Sequence, residues 1–208
     1  MIPIQQAAEP EDFEDKVRSK GNKWLRDHPD AKPSEYRPYW RKCAPQMEAA
    51  YGLYCAYSGM KRTSRELTID HFVPKSVDKN LVYEWSNYRL CSYGMNNIKD
   101  RADHTKLTDP FTLPRYAFAL NLANGAISVR RDVISEEEAA KADYTIKVLN
   151  LDEESLREER RSYVTGASLE MIRDRAPFVA EEMEYQGIPP MTTEADMYNE
   201  LQRAAKLG

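Results

Sequence analysis

The sequence predicts an α+β fold. We expect a mainly helical chain of 208 residues built around a small strand–loop–strand–helix unit, with a β-hairpin in the C-terminal half. Three observations carry this reading. LTIDHF, from Leu67 to Phe72, and NYRLCS, from Asn87 to Ser92, are short apolar runs of strand type. Asn124-Gly125, between AFALNL and AISVR, is the dipeptide most favoured in a tight hairpin turn. Most of the remaining chain repeats its apolar residues at helical spacing. The expected division is a helical extension over 1–50, a core over 51–108 and a hairpin-and-helix region over 109–208, packed as one compact unit.

Each element has a local reason. Residues 9–28 read as a polar helix anchored by Phe13, Val17, Trp24 and Leu25. HPDAKPSEYRP is a loop. Ser34 is placed to cap a second helix carrying Tyr36, Trp40, Cys43, Met47 and Ala50 as a core stripe, kinked or split by Pro45. After the two strands, GMNNIKDRADH reads as a short helix with Gly94 and Asn96 near its start. DPFTLP is a turn-rich connector. SEEEAAKADYTIKVLN opens with Ser135 three residues before Glu138, the spacing of a capping box. LDEESLREERRSYV opens with Asp152 as its cap and is broken by Gly166. GIPP at 187–190 ends the helical region, and Thr193 with Asp196 caps a last helix.

Composition narrows the class. No apolar run approaches the ~18 to 20 residues of a membrane span. MIPIQQAAEPEDFEDK lacks the basic region and apolar core of a secretion signal. Three cysteines, at 43, 55 and 91, do not make a disulfide framework. The expected location is a reducing cytoplasm, with no membrane contact. A net charge of −4 argues against a protein that coats nucleic acid, but the charge is uneven. Residues 60–106 hold nine Lys or Arg against six Asp or Glu, a net of +3. Residues 134–160 hold four against nine, a net of −5. A central basic patch suits localised phosphate contact.

Asp70 and His71 stand side by side at the end of the first strand. Hydrolysing a phosphodiester near neutral pH needs a base for water and a cation for the charge on phosphate and leaving oxygen. Imidazole suits the first task, since an unperturbed pKa of about 6.5 leaves it largely neutral. A carboxylate suits the second, because Mg²⁺ takes oxygen ligands and few of them from protein. Asn96 can add an amide oxygen, with Asn97 its neighbour and rival. Lys99, one turn later on the same face, is placed to meet a phosphate.

The ordered set IDHFVPKS, WSNYRLCS and MNNIKD resembles the motif of HNH nucleases, the ββα-metal fold. The resemblance implies roles position by position. His71 would be the general base, and Asp70 and Asn96 would bind one divalent metal ion, Mg or Mn. Asn87 would brace the loop and orient His71, with Pro74 and Trp85 structural. Lys99, Lys75 and Arg89 would contact phosphate or DNA. Many members of the family hold the fold with a structural zinc on two CxxC pairs. Here the corresponding stretches read CAYS (55–58) and SYGM (92–95), with Cys91 one place out of register. No structural zinc is therefore expected. Tyr54, Tyr57, Met60, Tyr93 and Met95 would fill the space, and Cys55 and Cys91 would lie together as free thiols.

The stretches LTDPF, the NG hairpin and YTIKVLNLDEESLREERR also look similar to bacterial HNH proteins of anti-phage defence systems of the Septu and retron type. That likeness covers roughly residues 50 to 165 and implies an effector nuclease acting on DNA, with an ATPase or another defence protein as partner. The alternative is a catalytically silent scaffold of the same type that binds nucleic acid or a partner protein.

Overall fold

The computed structural model describes residues 1–100, 102–164 and 168–188. It is a mixed helix-and-sheet protein with two small antiparallel sheets, of the α+β class. The contacts divide the chain into two compact units. One comprises residues 5–56 and 62–105, so most of the N-terminal helical segment joins the two strands rather than standing as an extension. The other comprises residues 1–4, 57–61 and 106 onward. No helix among the described residues is long and apolar enough to cross a membrane.

In the first unit, a wide helical turn at Glu14–Arg18 leads into helix α1, Ser19–Asp27. Phe13 and Val17 are fully buried, and Phe13 meets Trp85 and Tyr88 edge-on at 5.6 and 5.9 Å between ring centres. Gly21 lies mid-helix because a Cβ there would sit 2.2 Å from the Tyr83 ring. The second helix differs from the reading at its start. Ser34 caps nothing, since the turn Pro33–Glu35 is closed by the Glu35 carboxylate accepting from Lys32 N. A tight turn at Tyr39–Cys43 then precedes helix α2, Ala44–Tyr51, with Pro45 in its first turn, where a missing N–H leaves no bond unmade. Trp40, Cys43 and Met47 form the buried stripe, and Ala50 is exposed.

Thr63 and Glu66 close a capping-box turn that feeds strand β1, Leu67–His71. It pairs antiparallel with β2, Tyr88–Ser92, with Asp70 opposite Arg89 and His71 opposite Tyr88. The Ser92 hydroxyl accepts from Met95 N and starts helix α3, Tyr93–Lys99. The strand–loop–strand–helix order is thus present; the strands lie within one residue of their expected bounds, and the helix starts one residue early and ends at Lys99 rather than running through to His104.

The second unit contains the hairpin of β3, Phe118–Leu120, and β4, Ile127–Val129. Gly125 adopts φ +71°, which favours glycine, and a Cβ there would lie 2.2 Å from Arg157 O. Helix α4, Glu136–Val148, begins with the Ser135–Glu138 capping box. In α5, Glu154–Val164, the Asp152 carboxylate does not cap the helix; it accepts from Ile127 N and pairs with Arg157. Helices α6, Leu169–Arg175, and α7, Pro177–Tyr185, follow among the described residues. The readings at Gly166, Pro189, Pro190, Thr193 and Asp196 lie outside the described residues.

Candidate functional site

His71 ends β1 with its ring buried, only 7% exposed. Its Nε2 lies 2.9 Å from Val82 O. A carbonyl can only accept, so Nε2 carries the proton and Nδ1 holds the lone pair. Tyr88 Oη donates to the same carbonyl at 2.8 Å. The Trp40 and Tyr88 rings stand edge-on to the imidazole, at 4.8 and 5.2 Å. The His71 pKa is pushed down to about 3, chiefly by burial; the Val82 bond opposes the fall and the Lys75 and Lys99 charges add to it. The ring is therefore neutral at pH 7 with a defined tautomer.

Asn87 explains why Val82 is where it is. Its Nδ2 donates to Val73 O (3.0 Å) and Leu81 O (3.1 Å), and its Oδ1 accepts from Val73 N at 2.8 Å. Phe72 N adds a bond to Asn87 O at 2.8 Å. One buried amide thus ties both ends of the loop between Phe72 and Val82, and that loop delivers the carbonyl which orients His71.

Lys99 takes a different place from the one expected. It is 3% exposed, and its Nζ donates to Asp70 Oδ1 (3.1 Å), His71 O (2.9 Å) and Phe72 O (3.0 Å). Such an ammonium holds the end of β1 and the Asp70 carboxylate; it does not project toward a phosphate. Arg89 is corrected likewise. It is buried, donates from one guanidinium nitrogen to Ser86 O and Tyr88 O, and lies 5.0 Å from the Phe72 ring centre. Lys75 is the cation of the three that remains near solvent. Its Nζ sits 4.7 Å from the Trp40 ring centre, and burial lowers its pKa, aided by Arg41 and opposed by Asp100.

A cleft of about 500 Å³ gathers these groups. Asp70, His71, Lys75, Asn96 and Lys99 all line it, with Trp40 and Arg41 from the N-terminal segment. Asn87 and Arg89 are not among its lining residues and act from behind. Asn97 also lines the cleft and is exposed, while Asn96 is half-buried. Sequence reasoning missed Arg41 and read Trp40 as core alone. The signal was present in RPYWRK, where cations flank aromatics.

The donor set bears on which ion fits. Among the described residues no three His, Cys, Asp or Glu side chains cluster to hold a metal. A cation beside Asp70 would draw on that carboxylate, the Asn96 amide and water or phosphate oxygens, which suits Mg²⁺ or Mn²⁺ rather than a soft ion. At the CAYS and SYGM stretches, Cys55 and Cys91 are buried free thiols, and Ser92 N donates to Cys55 Sγ at 3.4 Å. Burial holds the Cys91 thiol well above its ordinary pKa, with Asp70 and Cys55 adding to the rise. Tyr57, Met60 and Met95 are buried as expected; Tyr93 is exposed at 55% and fills no core space.

No protein-family model matches the chain, and no curated protein matches it.

Proposed function

We propose that this protein is a divalent-metal-dependent nuclease of the HNH, or ββα-metal, type that hydrolyses phosphodiester bonds in DNA. The observation that carries the reading is the His71 ring. It is neutral, fixed through Nε2 on Val82 O, and lines one cleft with Asp70, Asn96 and Lys75. His71 Nδ1 takes a proton from water as it attacks phosphorus. The Val82 carbonyl then faces the Nε2–H of an imidazolium and stabilises the charge. The bound phosphodiester, itself an anion, raises the working pKa of the base. The Trp40 and Tyr88 edges keep the ring plane, and Asn87 keeps the loop. Lys75 meets a non-bridging oxygen, and Lys99 orients Asp70. A divalent ion held by Asp70 and Asn96 would neutralise charge on the phosphate and the leaving oxygen.

The test is cleavage of supercoiled plasmid with Mg²⁺ or Mn²⁺. General-base catalysis is worth ~10²- to 10⁴-fold, so His71→Ala should lower cleavage by that factor at a temperature where circular dichroism shows the variant folded, although loss of the buried ring lowers its melting point. An alanine variant cutting at the parental rate overturns the assignment.

A second reading has its own observation. The buried Lys99 ammonium already supplies a positive charge to Asp70. A scaffold that keeps the fold by replacing the metal with a lysine would bind nucleic acid or a partner without cutting. Mn²⁺ binding followed by electron paramagnetic resonance separates the two. A site abolished by Asp70→Ala supports the nuclease, and no site in the parent supports the scaffold. As an effector of a defence system the nuclease would act with an ATPase, and co-purification of the neighbouring gene product tests that.

A further inference from the structure

A second concavity borders the same unit. A groove of about 500 Å³ is lined by Trp24 and His28 at the end of α1 and by Arg37, Pro38, Tyr39 and Lys42. The turn Tyr39–Cys43 serves both concavities, with Tyr39 and Lys42 lining the groove and Trp40 and Arg41 lining the cleft. At ~2 Å rise per residue such a turn spans about 10 Å, so one extended strand can touch both.

The groove's chemistry is aromatic and cationic. Trp24 stacks on His28 at 4.4 Å and 10° between rings, and Tyr36 meets Trp24 edge-on. Lys42 Nζ lies 5.4 Å from the Tyr39 ring centre. Arg37, Arg41 and Lys42 are exposed, and none has an ion-pair partner among the described residues. Elsewhere in the unit Arg18 pairs with Glu9, Glu14 and Glu84, and Lys23 with Asp27. Residues 32–42 hold four basic side chains against Glu35 alone. Unpaired like charges on one surface repel each other and are relieved by a polyanion. Aromatic faces stack on unpaired bases, whereas a duplex keeps its base faces hidden.

We propose that this groove binds single-stranded nucleic acid running into the cleft, with Arg37 and Lys42 on its phosphates and Trp24, His28 and Tyr39 against its bases. The proposal rests on the nuclease reading of the cleft and names its substrate class.

The experiment is fluorescence anisotropy on the full chain in EDTA, with a labelled oligothymidylate and a duplex of equal length over a salt series. The single strand should bind at least ~10-fold tighter than the duplex. The double variant Arg37→Gln/Lys42→Gln should lower the log–log salt slope by about 1.4, or ~0.7 for each phosphate that is no longer neutralised. Tyr39→Leu should weaken binding roughly 10-fold with the slope unchanged. Trp24→Leu serves as the second aromatic variant, because Tyr39 also packs on Tyr83. Equal or tighter duplex binding, or an unchanged slope in the double variant, overturns the proposal. Hydrolysis of bis(p-nitrophenyl) phosphate, which has no flanking nucleotide, reports on the cleft alone. Turnover of this substrate by a parent that shows no strand preference retires the groove and keeps the nuclease. Strand preference without turnover in the parent keeps the groove as a binding site and retires the nuclease.

Discussion

Two buried charged clusters, one in each unit, look alike by burial and differ in what their atoms have left to do. In the C-terminal unit, Glu182 is 2% exposed and accepts from Arg130 at 2.7 and 2.9 Å, from Leu120 N at 3.0 Å and from Gln186 Nε2 at 2.7 Å. Both carboxylate oxygens are served by donors, and the cluster binds β3 and β4 to α7. In the N-terminal unit, Lys99 is equally saturated by three acceptors, but the His71 beside it has committed only Nε2. Its Nδ1 belongs to a ring that lines a cleft with Asp70 and Asn96. Buried charge by itself therefore marks structure. A buried polar ring with one atom uncommitted, at the wall of a cavity, marks a place where chemistry can be done.

Four experiments put the contrast between the clusters at risk. The largest effect is expected in activity. His71→Ala should cost ~10²- to 10⁴-fold in plasmid cleavage, whereas no substitution of Glu182 that leaves the protein folded should change cleavage by more than a few-fold. The next is in stability. Glu182→Ala leaves the Arg130 guanidinium buried without its partner and should lower the unfolding free energy by ~3 to 5 kcal/mol in urea titration. A loss under ~1 kcal/mol would mean that the guanidinium finds water and that the cluster is not the brace described.

The third concerns pH, in metal-free buffer. His71 has a folded pKa of about 3 against an ordinary 6.5, so below pH 6.5 the unfolded chain takes up a proton that the native ring refuses. Stability contributed by the neutral ring is complete above about pH 6.5 and drains away as the pH falls toward 3. Between pH 6.5 and 5 the parent should lose roughly 2 kcal/mol more than His71→Gln, in which that proton uptake is absent. Parallel curves for parent and variant would show an imidazole more accessible than its packing implies. The smallest effect is at the surface. Lys23→Ala removes the exposed pair with Asp27 and should change stability by no more than ~0.5 kcal/mol.

What short-range forces decide was legible in the chain. The strand order, the start of α3, the Ser135–Glu138 box and the hairpin at Gly125 each rest on residues a few positions apart, and their spacing carries the signal. Asp70, His71 and Asn96 line one cleft, the first two from the end of β1 and the third from the first turn of α3. Long-range packing set the rest. Lys99 reads as a surface cation since Asn96, Asn97 and Asp100 beside it are polar, yet it finds its acceptors at the end of β1, with Asp70 29 residues away, while Arg89 takes nearby carbonyls and packs against the Phe72 ring. Trp40 and Arg41 joined the cleft from a segment about 30 residues upstream of His71, and Val82 O became the partner of Nε2 only because Asn87 ties down the loop between them. Local geometry is written in adjacent residues. The burial of a charge, and the atom it is left facing, depend on which distant surfaces close over it, and no window of sequence contains both sides of that contact.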